Sequence, residues 1–145
     1  MRLGPAAQGA IPALRISEFS DYAIVRVYAT AALLRLGDAD TPLTHLLDAW
    51  RDTYDPEDAY PLALHWLEAV ELLGPLGVKA VPQLIALLAE PRDQYEEDYR
   101  WQSARVLAKI GPESKLALPR LKEMAFGTTP LAEFAAEAAR AIERK

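Results

Sequence analysis

The chain has 145 residues, enough to bury a sizeable core, and its 51% apolar and 26% charged composition excludes a disordered polymer. It contains no cysteine, which removes disulfide frames, thiolate metal sites and cysteine nucleophiles and fits a cytoplasmic location. The net charge of −5 argues against nucleic acid as the default ligand, because phosphate binding needs a concentrated basic surface. Residues 1–16 carry Arg2 and Arg15 and are broken by Pro5 and Pro12, which is not the pattern of a secretory signal. No apolar run is expected to approach the roughly 18 residues of a membrane span.

From the N-terminus onward a motif recurs: Gly-Pro, five residues, an apolar residue, Pro, any residue, Leu. The copies begin at Gly4-Pro5, Gly74-Pro75 and Gly111-Pro112, and reach Ile11-Pro12-Ala13-Leu14, Val81-Pro82-Gln83-Leu84 and Leu118-Pro119-Arg120-Leu121. Each has Ala immediately before the apolar-Pro pair: Ala10, Ala80 and Ala117. A degenerate copy starts at Gly37, with Asp38, His45 and Leu47 where the others have Pro, Pro and Leu. The four glycines lie 33, 37 and 37 residues apart. A period in this range indicates stacked helical repeats, with boundaries near 3–36, 37–73, 74–110 and 111–145 of a single repeat domain.

The spacing predicts four helix pairs. First helices run over about 6–15, 41–51, 77–89 and 113–125, and second helices over about 21–36, 61–73, 94–110 and 131–144. Counted back from each Gly, positions −8, −5, −4 and −1 are Ala29, Ala32, Leu33 and Leu36, then Trp66, Ala69, Val70 and Leu73, then Ser103, Val106, Leu107 and Ile110. That spacing is one face of a helix. Gly closes each second helix because it reaches positive φ without a Cβ penalty, and the Pro that follows cannot continue the helix. The second Pro of the motif belongs in a first turn, where a missing N–H costs nothing. The last pair lacks a closing Gly, but Phe134, Ala138, Ala141 and Ile142 keep the apolar spacing. The expected fold is all-α, an α-solenoid of four hairpins.

At this point the chain resembles HEAT repeats. The signature is Leu-Gly or Ile-Gly followed by Pro, then Ala-apolar-Pro-x-Leu, then a second helix with Arg near its start. The short bacterial kind also found in phycobilisome lyases is the most similar variety. The resemblance is sharpest over 72–121 and present at 1–15. Arg26 and Arg100, each eleven residues before its Gly, match the arginine such repeats carry. The second repeat departs from the pattern, with Ala63 at the arginine position and Trp66 where a small residue is usual. The resemblance implies a right-handed superhelix whose second helices line a concave face.

No catalytic constellation emerges, and the chain reads as a non-enzyme without a cofactor. His45 and His65 are the two histidines, and they read as exposed or half-buried helix residues rather than metal ligands. No serine has nucleophile-elbow glycines, and no Gly-rich phosphate loop is present. The acidic run Asp52–Asp58 lacks the alternating ligands and central Gly of a calcium loop. His45 and His65 are not followed by Glu, so the iron-binding His-Glu pairs of deoxyhypusine hydroxylases are missing. The acidic net charge sets the chain apart from HEAT-like alkylpurine DNA glycosylases. Arg26 and Arg100 either grip a ligand carboxylate or, as the simpler reading has it, bond neighbouring turns and acids such as Asp21 and Asp98.

Two features point to binding. The turns inside repeats two and three are acidic (Asp48, Asp52, Asp55, Glu57, Asp58; Glu90, Asp93, Glu96, Glu97, Asp98), and Tyr22, Tyr54, Tyr60, Tyr95 and Tyr99 lie at or beside such turns. An acidic, tyrosine-rich edge suits a basic partner, although charged turns also serve solubility alone. The expected groove stripe is Val27, Leu64, Trp101 and Ala136, flanked by Tyr28, His65 and Gln102, with Glu68, Arg105 and Arg140 one turn on. An apolar stripe of this kind fits a peptide groove, unless Trp101 folds onto the neighbouring repeat as core. The first helix is nearly bare of charge (Ala6, Ala7, Ala10, Ile11, Ala13, Leu14), unlike the last, so the N-terminal end is expected to continue a longer array or to dock on a partner or on itself.

The leading expectation is a protein-binding scaffold. Its contacts are Trp101, Tyr28, Leu64, His65 and Arg105 on the groove and Tyr54, Tyr95 and Tyr99 on the edge. The alternatives are an auxiliary role in cofactor attachment, which the likeness to phycobilisome lyases implies, and nucleic-acid binding.

Overall fold

The computed structural model describes the backbone of residues 5–51, 59–89 and 94–144, and the side chains of residues 7–48, 62–89 and 98–144. Among them every regular element is helical. In chain order these are α1 (Pro5–Gln8), α2 (Ile11–Ser17), α3 (Ala23–Leu36), α4 (Leu43–Arg51), α5 (Ala59–Leu73), α6 (Val81–Leu87), α7 (Gln94–Ile110), α8 (Leu118–Met124) and α9 (Pro130–Glu143). Two 3-10 segments, Gly74–Ala80 and Gly111–Ala117, lead into α6 and α8. The chain forms two compact units, Met1–Leu73 and Gly74–Lys145.

The second helices fall where the apolar spacing puts them, and the glycines end them as expected. Gly37, Gly74 and Gly111 have φ of 77°, 53° and 79°. At the end of α3 the Gly37 N–H bonds the Leu34 carbonyl at 3.1 Å and the Asp38 N–H bonds the Leu33 carbonyl at 3.0 Å. This is the paired-carbonyl closure that a left-handed glycine permits.

The first helices differ from expectation. In the three Gly-Pro copies the α-helical part starts at the apolar-Pro pair, so α6 and α8 are shorter than predicted, and the first predicted helix is split between α1 and α2. The cause is Pro12, Pro82 and Pro119 at the first positions of α2, α6 and α8. A proline ring clashes with the carbonyl four residues back and donates no N–H, so α-helix cannot extend N-terminally through it. The preceding Ala10, Ala80 and Ala117 share one conformation, with φ between −82° and −84° and ψ between −6° and −15°. Ala80 and Ala117 are fully buried, which explains a methyl side chain there.

In the first unit α3 is the hub, packed against α2, α4 and α5. Its core holds Leu33, Leu46, Trp66, Leu67 and Val70. Trp66 fills the position where a small residue was expected; it is fully buried and donates its indole N–H to the Leu46 carbonyl at 2.8 Å. Arg35 donates to the Leu72 carbonyl at 2.7 Å, placing a cation on the open carbonyls at the end of α5. Where the other copies have Pro, Asp38 receives both arms of Arg15, at 3.2 Å and 2.5 Å, and a hydrogen bond from Thr41 at 2.8 Å. The degenerate copy thus replaces proline stiffness with an ion-paired clamp.

In the second unit α7 packs against α6, α9 and both 3-10 segments, and α9 packs against α8. Leu84, Leu88, Leu107, Leu121 and Ile142 are fully buried. Arg120 donates to the Leu88 carbonyl at 3.1 Å, a link between α8 and the end of α6 like that of Arg35 in the first unit. Thr129 caps α9 by accepting from the Ala132 N–H at 3.2 Å, with Pro130 following it.

One stretch corrects the sequence reading of apolar runs. Leu62–Leu87 reaches a mean hydropathy of 1.4 over an 18-residue window, long and apolar enough by composition to cross a membrane. Its charges are sparse (Glu68, Glu71, Lys79), but α5 closes at Gly74 and the backbone turns 3-10 there, so no single α-helix runs its length.

Candidate functional site

The first unit brings two of the predicted contact residues together. Tyr28 on α3 and His65 on α5 meet edge to face, with ring centres 5.6 Å apart. The Tyr28 hydroxyl lies 2.8 Å from His65 Nδ1 and donates to Glu68 Oε2 at 2.5 Å. A phenol has one proton, so with that proton on Glu68 the oxygen accepts from His65, and Nδ1 carries hydrogen. Partial burial and the adjacent Glu68 carboxylate push the Tyr28 phenol up to about 12. The group therefore stays neutral at physiological pH and acts as a fixed donor rather than a base. Both His65 and Glu68 remain solvent-accessible.

Other members of the predicted stripe behave differently. Leu64 is half-buried beside His65, as a groove residue would be. Val27 is fully buried, a correction to its expected exposure: α3 is covered on several sides in the first unit, and the position after Arg26 points into that core. Arg26 donates to the Ser20 and Asp21 carbonyls at 2.8 Å and 3.1 Å, so it ties down the preceding turn through backbone oxygens. Arg100 is buried, 7% exposed.

In the second unit Trp101 on α7 is half-buried and packs on Phe134 of α9 at 4.9 Å, the rings tilted by 50°. The next hairpin thus braces the ring, and part of it remains accessible. Arg105 is exposed and donates to Gln102 Oε1 at 3.1 Å. Ala136 and Arg140 border a shallow, open depression of about 410 Å³ that Glu133 and Glu137 also line. Tyr99 is half-buried and has a partner. Tyr54 and most of the acidic turn around it lie outside the described residues, as does the side chain of Tyr95; the tyrosine edge is therefore seen only at Tyr22 and Tyr99.

Two features escaped the sequence reading. Glu18, at the end of α2, is buried; it faces His45 Nδ1 at 2.7 Å and Thr30 Oγ1 at 3.4 Å. A carboxylate in a turn looks solvated until the fold places a histidine 27 residues away against it. The second is an apolar outcrop. In the charge-poor N-terminal helix Ile11 and Leu14 are half-buried, while Ile16, Phe19 and Tyr22 just beyond them stand out. The signal was present as large apolar residues inside a turn, where polar ones are usual.

Among the described residues no three of His, Asp and Glu gather as metal ligands would. No protein-family model, no curated protein and no solved structure matches this chain.

Proposed function

We propose that this chain is a non-enzymatic protein-binding scaffold, built of HEAT-like hairpins stacked as an α-solenoid, whose second helices present the contact face for a protein or peptide segment. The observation that carries the reading is the partly buried, braced aromatic on a second helix in each unit. Tyr28 is braced by His65, and Trp101 is braced by Phe134. Aromatic anchors held by neighbours lose little freedom on binding and account for a large share of interface energy. Polar groups accompany each anchor: Glu68 and His65 beside Tyr28, and the bonded pair Gln102 and Arg105 on the helix that carries Trp101. That is the composition of an interface centre with a polar rim.

The test is a pull-down from native lysate with the wild-type chain and Trp101→Glu. A protein retained by the first and lost by the second supports the face; equal retention by both sinks it. Circular dichroism of the variant separates loss of binding from loss of fold, since Trp101 is only half-buried.

A further inference from the structure

We propose that the segment 16–25, at the turn between α2 and α3, is a self-association surface on which a second copy of this chain docks about a two-fold axis. Ile16, Phe19 and Tyr22 are 79%, 76% and 75% exposed, and Ile24 and Val25 add partly exposed side chains in the first turn of α3. The two aromatics and three aliphatics present on the order of 500 Å² of apolar surface, at the upper end of what monomers show. Two such faces in contact remove about 1,000 Å² from water, the size at which specific interfaces begin.

The segment is held in place before any partner arrives. Ser17 donates to the Ala13 carbonyl at 3.1 Å, and Ser20 Oγ accepts from the Tyr22 N–H at 3.2 Å. Arg26 fixes the Ser20 and Asp21 carbonyls, and the Phe19 ring stands edge-on to His45 at 6.4 Å. A surface ordered in advance loses little entropy on docking.

The charges around it select the occupant. Arg15 is engaged by Asp38 and Asp40, Arg26 by backbone carbonyls, and Glu18 is buried on His45. Among the described residues of the segment Asp21 is left as the exposed charge. A single exposed carboxylate against five apolar side chains leaves apolar area, not charge, to decide what docks. An apolar face is complementary to itself, and two-fold dimers are the commonest soluble oligomers.

The experiment is sedimentation equilibrium of the full chain, of Phe19→Ser and of Leu116→Ser, an equally exposed leucine of the second unit. The wild type is expected to be dimeric at about 100 μM, with Phe19→Ser raising the dissociation constant about tenfold or more and Leu116→Ser leaving it unchanged. A wild type that stays monomeric at that concentration overturns the proposal. So does a dimer that Phe19→Ser does not weaken, or one that Leu116→Ser weakens as much. Both substituted positions are about three-quarters exposed, so the fold survives, and circular dichroism checks it. The proposal is independent of the second-helix face, which Trp101→Glu tests separately.

Discussion

Trp66 is the largest fully buried side chain among the described residues, and its removal gives a graded prediction. The side chain is fully buried and its N–H is bonded to the Leu46 carbonyl at 2.8 Å. Trp66→Phe removes that bond, a loss of about 1 kcal/mol. It also leaves a residual cavity of ~40 Å³, which at about 24 cal/mol per Å³ adds about 1 kcal/mol. Together these give a destabilisation of about 2 kcal/mol. Trp66→Ala removes the whole ring system from between α4 and α5 and costs about 3–5 kcal/mol. Urea unfolding followed by far-ultraviolet circular dichroism, extrapolated linearly to water, reads both values. The reasoning fails if Trp66→Ala costs less than about 1 kcal/mol, or if Trp66→Phe matches the wild type. Either result means that the helix pair collapses around the gap, and that the tryptophan is an accommodated departure from the repeat rather than its centre.

Gly37→Ala is expected to cost about 1 kcal/mol, wholly from φ, because a Cβ there meets nothing within 4 Å. Gly37→Asn costs less, and equal penalties for the two in the same urea assay would contradict this. The Arg15 guanidinium, hydrogen-bonded to Asp38, holds that carboxyl below its ordinary 3.8. The folded value being depressed, the stabilisation is present above the ordinary value and is lost as pH falls through the lower folded one. NMR titration of the Asp38 carboxyl is expected to move upward in Arg15→Gln; an unchanged midpoint refutes the clamp. Tyr28 is raised from 10 to about 12, so the stability it confers is intact below pH 10 and disappears as pH rises through about 12. Phenolate absorbance should show a component ionising late, and Tyr28→Phe should remove it. Its persistence in the variant would assign it elsewhere.

The sequence by itself determined where the second helices run, where they end and which residues carry their apolar face. Gly37, Gly74 and Gly111 close helices because positive φ is a local property of a residue without Cβ. Pro82 and Pro119 start them because the ring constrains only the residues just before it. The faces holding Leu33, Val70 and Leu107 follow from helical spacing alone. Tertiary structure decided what covers what. Val27 looked exposed and is core, because α3 is packed on several sides. Tyr28 meets His65 and Glu68 from 37 and 40 residues away, and Glu18 meets His45 from 27. Ile16, Phe19 and Tyr22 stay uncovered while the less conspicuous Ile11 and Leu14 are half-covered. Backbone rules act over one helical turn, whereas burial and pairing depend on which helix arrives beside a given face. That is set by the sum of all the packing contacts, and no single segment encodes it.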